Sequence, residues 1–307
     1  MEEKSKLNFF KPTLYNIGEY SALYKRYSKD LFGCEYSPAT ILLWEPFYHQ
    51  KLAVFGESIF LMFEAENRPP IFLLPLGENL KENIELLKVY AKENGFPLYF
   101  LAGMGENFEK FKSLFGDEYD MTPSREDFEY IYSAEELKNL SGKKFHSKRN
   151  HISAFSRKYN WVFEPLSKEN LSEVLLVAEK WAENAENDES RESILSENKT
   201  MAELLPFMDE LQFSGGIIRV EGQIVAFCFG AKINDTVFDV QVEKALPEFR
   251  DAYPVINNAF AKSLDDSILF INREDDMGLE GLRKAKLSYR PKFLFEKFYL
   301  SPKGDNK

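Results

Sequence analysis

The sequence predicts a mixed α/β protein made of two similar halves. Three observations carry that prediction. Segments of helical period and segments rich in strand-forming residues alternate along the whole chain. In each half, helices lead into a run of three short strands joined by turn residues, and then into another helix and another strand. The 307 residues are 44% apolar and 15% aromatic, enough to give each half a core. No literal repeat accompanies this order, so duplication is inferred from the order of elements alone.

In the first half, Ile17, Tyr20, Leu23, Tyr24 and Tyr27 recur at helical spacing, which predicts a helix within 16–30. Ser37 before Pro38 reads as a cap and N1 proline, opening a short helix over ATILLWEPF. KLAVFG, SIFLMFEAE and PPIFLLPLG read as three strands. Asn79 to Asn94 reads as a helix stopped by Gly95. LYFLAG is a buried strand, and a short helix near 107–115 leads to EYDMTP and EDFEYIYS. The halves are drawn at 1–133 and 134–307, the second beginning with a basic helix at 142–158.

In the second half, NWVFEPL is a strand and 170–181 and 194–211 are helices. GGIIRVEG, QIVAFCFGAKI and TVFDVQVE form a β-meander, turning at Glu221-Gly222 and Asn234-Asp235. A helix at 254–264, the strand SILFIN, a helix at 279–289 and a final strand KFLFEKFYL follow. This order, β-α-α-β-β-β-α-β-α-β, resembles a GNAT-type acyltransferase unit.

The formal net charge of -11 excludes a general nucleic-acid coat but not one basic site. Cys34 and Cys228 stand in unrelated contexts, which excludes a disulfide scaffold and a cysteine-based zinc site and suits a reducing cytosol. MEEKSKLNFFK lacks the apolar core of a signal peptide, and no stretch approaches 18 apolar residues. A cytoplasmic protein without a transmembrane segment is expected.

Against this acidic background, GKKFHSKRNHISAFSRK (142–158) carries six cations and no acid, with His146 and His151. Phe145, Ile152, Phe155 and Tyr159 define one face of a helix, and Lys148 falls inside that apolar arc. An inward lysine needs a partner or must snorkel outward. A solvated basic helix is one reading. A phosphate site formed by Lys144, His146, Lys148 and Arg149 is the other.

A second stretch, REDDMGLEGLRKAKLSYRP (273–291), begins where SILFIN ends, at a place where loops often carry function. Asp275 and Asp276 either cap the next helix or serve a ligand. Leu279, Leu282, Lys286 and Tyr289 share one helix face, so Lys286 also points inward. A salt bridge to Asp275, Asp276 or Glu243 would satisfy it, and so would a ligand's negative charge. In TVFDVQVE, strict alternation puts Val237, Asp239, Gln241 and Glu243 on one face. That face is either ordinary solvent-facing strand or the lining of an acyl cleft, where an acid takes the proton of an attacking amine.

The sequence has no Walker loop, no strand-linked GxGxxG, no HExxH and no identifiable Ser-His-Asp order. After Glu243 stands KALPEFRDAYPV, without the glycine-rich turn that holds the CoA pyrophosphate, which weighs against ordinary CoA binding.

The two stretches EDFEYIYSAEELKNLSGKKFHSKRNHISAF and DDMGLEGLRKAKLSYRPKF are the most specific points of a wider resemblance. Over nearly its whole length the chain resembles an uncharacterised bacterial family related to the C-terminal domain of phosphatidylglycerol lysyltransferase. The resemblance implies tandem GNAT-like domains, as in Fem-type aminoacyl-tRNA transferases, and transfer of an aminoacyl group from tRNA to an amine or hydroxyl acceptor. The sequence carries no membrane-spanning portion like that of the lysyltransferase, which weighs against a lipid acceptor.

Two functions follow. In the first, an aminoacyl-tRNA or an acyl-CoA donates to an amine or hydroxyl. Lys148 and Arg149 hold phosphate. Lys286, Tyr289 and Arg290 orient the carbonyl or a terminal phosphate, and Asp239, Gln241 or Glu243 receives the amine. An activated acyl group requires no metal and no covalent intermediate. In the second, the fold is a non-catalytic nucleotide- or RNA-binding module.

Overall fold

The structure, a computed structural model, describes residues 7–65, 67–184 and 187–304. The chain forms two compact units. The first gathers residues up to Glu129, with Asp275–Leu279 and the chain from Leu294 onward; the second comprises Tyr130–Glu274 and Glu280–Phe293.

The first unit begins with α1 (Gly18–Tyr27) and α2 (Pro38–Tyr48), followed by the antiparallel meander β1 (Gln50–Phe55), β2 (Ser58–Ala65) and β3 (Arg68–Leu73). Pro38 opens α2 as expected, but Ser37 makes no side-chain cap. Then come α3 (Leu80–Asn94), β4 (Tyr99–Gly103), α4 (Glu106–Phe115) and β5 (Tyr119–Pro123). Asn79 caps α3 and Gly95 ends it with φ 74°, a left-handed conformation that suits glycine. The core packs Ile84, Leu87, Phe100, Phe111 and Phe72 together.

The chain continues with β6 (Glu129–Ser133), α5 (Ala134–Asn139), α6 (His146–Lys158) and β7 (Trp161–Pro165). The basic stretch is not one helix: Lys143–Phe145 is a 3-10 turn, and α6 starts at His146. Next are α7 (Leu171–Ala182) and α8 (Asp188–Leu204). The second of these is shifted from its expected span. Asn187 caps it early by accepting from Ser190 N, and Pro206 disfavours helix at the residue before it.

The meander is antiparallel as expected: β8 (Phe213–Val220), β9 (Gln223–Lys232) and β10 (Val237–Ala245). Glu221 and Gly222 both have positive φ, 48° and 87°, as a primed hairpin turn requires. The remaining elements are α9 (Ala252–Ser263), β11 (Phe270–Asn272), α10 (Glu280–Leu287), β12 (Phe293–Phe295) and β13 (Lys297–Pro302). SILFIN is strand only over its last three residues, because Asp265 turns the chain by binding Ser267 N. KFLFEKFYL is two strands rather than one, since its halves pair in different sheets.

The sheets are ordered β1-β2-β3-β4-β13-β5 and β12-β6-β11-β10-β9-β8-β7. Each has a meander followed by one parallel pair, β3 with β4 and β10 with β11. Each also takes one strand from the other half of the chain, β13 in the first and β6 in the second. These are two mixed sheets in a tandem GNAT-like fold.

A bulge sets the geometry of β10. Val240 pairs with Gly230 and Val242 with Phe229, so Gln241 is an extra residue. Past it the alternation is reversed, and Glu243 shares the face of Val240 and Phe238, opposite Asp239. The single polar face read from the sequence therefore does not exist. Both faces of β10 are covered, with Asp239 and Gln241 buried.

Gly230 stands opposite this bulge, and a Cβ there would collide with the main-chain oxygen of Asp239. Gly230→Ala should destabilise the protein by about 3 kcal/mol, read as a lower urea midpoint at unchanged m-value. An unchanged midpoint would contradict the register described.

Candidate functional site

The pairing of β10 with β11 runs for three residues, from Val237↔Phe270 to Asp239↔Asn272. Beyond it β10 parts from β11 but stays paired with β9, while Arg273 N still donates to the Tyr130 carbonyl of β6. Arg273 and Glu243 meet in the resulting gap. Arg273 Nη2 lies 2.9 Å from Glu243 Oε1, and Asn257 Nδ2 of α9 donates to Glu243 Oε2 at 3.1 Å. Burial opposes the charge of Arg273, but Glu243 and, with smaller contributions, Tyr132, Tyr289 and Cys228 together hold the guanidinium protonated.

Tyr289, just past α10, lies against both cations of the site. The Arg273 guanidinium is 4.8 Å and the Lys148 ammonium 3.5 Å from its ring centroid. Lys148 Nζ also donates to Ser288 Oγ at 2.7 Å. Tyr289 and Tyr132 are buried, which raises both phenol pKa values and keeps them protonated. Partial burial, reinforced by Arg273 and opposed by Glu243, lowers the Lys148 pKa to about 8. Two cations, Lys148 and Arg273, thus face one carboxylate, Glu243, leaving a surplus positive charge suited to an anion.

Lys286 points inward as the spacing implies. Its ammonium donates to the Arg273 main-chain oxygen at 2.5 Å. Tyr132 Oη donates in turn to the Lys286 carbonyl at 2.8 Å. Lys286 therefore ties α10 to the strand end that carries Arg273.

The other expected residues are dispersed. Lys144 is exposed and pairs with Glu136 at 2.5 Å. His146 is exposed and contacts Asn150. Arg149 donates to the carbonyls of Leu140 and Gly142, just past α5. Arg290 is exposed. Asp276 belongs to the first unit, where it is fully buried, pairs with Arg125 at 3.0 Å and accepts from Gly278 N. Asp239 and Gln241 are buried on β10, Asp239 on the face away from Glu243. Sequence reasoning missed Arg273, Asn257 and Tyr132. Arg273 opens the stretch singled out at the end of SILFIN, and that position was the one available signal.

In the first unit, Cys34, Glu35 and Glu129 lie within metal-ligand reach of one another, but the Lys297 ammonium already occupies that position and pairs with both glutamates. A cavity of about 230 Å³ opens nearby, lined among others by Tyr27, Glu35, Tyr36, Glu106 and Phe295. Among the described residues no helix is long and apolar enough to cross a membrane.

The order of elements in this fold is that of a GNAT-like protein, with a polar site where the parallel strands part. Residues 28–301 match the family model described as phosphatidylglycerol lysyltransferase, C-terminal, and the chain belongs to that family. It is similar to a conserved protein of unknown function from Bacteroides thetaiotaomicron, 31% identical, with a TM-score of 0.88 over 97% of this chain and 100% of that one. It shares its fold with L-PGS from Bacillus licheniformis, 15% identical, with a TM-score of 0.64 over 96% and 93% of the two chains. An uncharacterized protein of Mycoplasmoides gallisepticum, MYCGA3080, is 23% identical over 171 residues, and the match spans about half of that curated relative, 54%. Family and fold together indicate a transferase in the broad sense.

The lowered pKa of Lys148 gives a test in the free protein. Between about 8 and the ordinary 10.5, the unfolded chain holds a proton that the folded one has released. Stability from this group therefore rises with pH across that window, and the full penalty is present below it. Lys148→Met should gain most against the unaltered protein at pH 7, and the gain should shrink by pH 10. Urea unfolding at the two pH values decides; a constant difference would refute the buried-cation reading.

Proposed function

We propose that this protein is an acyltransferase that moves an activated acyl group onto an amine or hydroxyl acceptor, with an aminoacyl ester of tRNA favoured over a CoA thioester as donor. The observation that carries the reading is the surplus cation at Tyr289, where Lys148 and Arg273 face the single carboxylate of Glu243. The acceptor attacks the donor carbonyl, a new amide or ester bond forms, and the bond to the tRNA ribose breaks. The acceptor's proton ends on the released ribose hydroxyl. Charge developing on the carbonyl oxygen meets Arg273, and Lys148 once it has taken the acceptor's proton.

Both Glu243 oxygens already accept hydrogen bonds, from Arg273 and Asn257, so the carboxylate orients rather than receives a proton. Lys148 is the better acceptor, since with a pKa of about 8 roughly a quarter of it is neutral at pH 7.5. Against CoA stands the link from β10 to α9, which has no glycine and sets Glu248 and Asp251 against the single cation Arg250, an unfavourable balance for a pyrophosphate. The exposed cations Lys143, Arg157 and Lys158 suit a tRNA backbone. A cytoplasmic setting fits the buried free thiols Cys34 and Cys228. The halves 1–133 and 134–307 are read as the two copies of a duplication. The engaged carboxylate also supports a second reading, a module that binds nucleotide or RNA without turnover.

Mass spectrometry of the purified protein with aminoacyl-tRNA or acyl-CoA, and a mixture of amine and hydroxyl acceptors, separates the readings. Transfer from aminoacyl-tRNA is expected, falling about 100-fold in Lys148→Met. Binding without transfer from either donor would leave only the second reading.

Lys286 acts as a positioning residue through Arg273. Lys286→Met should fold and lose kcat with KM little changed. A folded variant with full kcat would remove Lys286 from the mechanism.

A further inference from the structure

The cavity of about 230 Å³ lies wholly in the first unit, beside the ends of β3 and β4. One water needs roughly 10–15 Å³ of such space, so the cavity has room for an organic molecule. Its wall is built for a purpose. A Cβ at Gly33 or at Gly103 would stand 2.8 or 2.4 Å from the Phe295 ring, so two bare glycines seat that ring in the lining. Leu73, Leu74 and Leu76, with the rings of Tyr36 and Phe295, give the cavity an apolar body.

The polar part of the lining is negative. Asp30, Glu35 and Glu106 line it, against the single cation Lys110. Lys110 and Glu106 neutralise each other at 2.6 Å. Glu35 shares the Lys297 ammonium with Glu129, so that cluster keeps one negative charge in excess. Asp30 is exposed, and among the described residues its carboxylate pairs with no cation. Tyr27 also lines the cavity, and its hydroxyl is buried without a hydrogen-bond partner. Such a group is costly to bury unless something completes it.

The complement is a cation that carries N–H donors and an apolar body. A metal ion does not fit, because leucine and phenyl walls cannot replace the oxygens of its hydration shell. An anion meets a field of its own sign. A quaternary ammonium has no N–H for Tyr27.

We infer that this cavity binds a small primary organic ammonium, its charge in the field of Asp30 and Glu35, an N–H on the Tyr27 hydroxyl and its apolar body against Phe295. The inference is independent of the transferase reading, which concerns the second unit.

The test is calorimetric titration of the full chain at pH 7.5, where alkylamines are ammonium ions. The probes are two pairs of equal shape: butylamine with 1-butanol, and phenethylamine with 2-phenylethanol. In the better-fitting pair the amine should bind about tenfold more tightly than the alcohol, and added salt should narrow the difference. Asp30→Asn should weaken the amine severalfold and leave the alcohol unchanged, and Tyr27→Phe should weaken the amine. Asp30 is exposed, so Asp30→Asn decides even if Tyr27→Phe does not fold. Failure of both amines to bind, equal binding within both pairs, or an amine preference intact in Asp30→Asn overturns the inference.

Discussion

Placing a guanidinium inside a protein is unfavourable unless a carboxylate meets it, and in the second unit everything around the site depends on Glu243 meeting Arg273. That meeting depends on one extra residue. Without the bulge at Gln241, Glu243 would share the face of Asp239, away from α9 and Asn257. The bulge depends on the bare backbone of Gly230, where no Cβ can stand against the Asp239 carbonyl. A glycine, a bulge and a carboxylate thus act in series, and the geometry at Tyr289 comes last. Lys286 closes the arrangement from the other side by holding the carbonyl of the residue whose side chain Glu243 holds.

Much of the fold is legible in the sequence because it is written in short-range signals. Asn79 and Gly95 bracket α3, the Glu221-Gly222 turn sets the β8–β9 hairpin, and the period of Phe145, Ile152 and Phe155 aims Lys148 inward. The inward aim of Lys286 is equally local, since it follows from helical spacing. What fails is long-range. A one-residue bulge is silent in a period-two pattern, so Asp239 and Glu243 look like neighbours on one face when they are on two. KFLFEKFYL looks continuous because nothing in it says that its halves join different sheets. Arg273 was overlooked for a related reason. Its partner lies 30 residues back, on a strand that leaves it after three pairs.

The basic stretch shows how far charge counting goes. Six cations without an acid looked like one phosphate cradle. The structure spends them differently. Lys144 neutralises Glu136, and Arg149 takes the carbonyls of Leu140 and Gly142 in the turn that follows α5. Among these cations it is Lys148 that lies against Tyr289, where partial burial and Arg273 lower its pKa.

The two units put the same device to different ends. Each has a parallel strand pair that parts after three residues, and each buries a cation. In the first unit, the Lys297 ammonium sits among Glu35, Glu129 and the Cys34 thiol, with two carboxylates for one cation. Its pKa is raised because the glutamates outweigh burial, so the proton is locked and the cluster is inert as an acid or base. In the second unit the ratio is inverted, with two cations for one carboxylate, and the cation left over has its pKa lowered into the range where protons exchange near neutral pH. A cation with carboxylates to spare holds a fold together. A cation short of one is suited to a ligand, and this difference in stoichiometry, more than any single residue, is why the chemistry is assigned to the second unit.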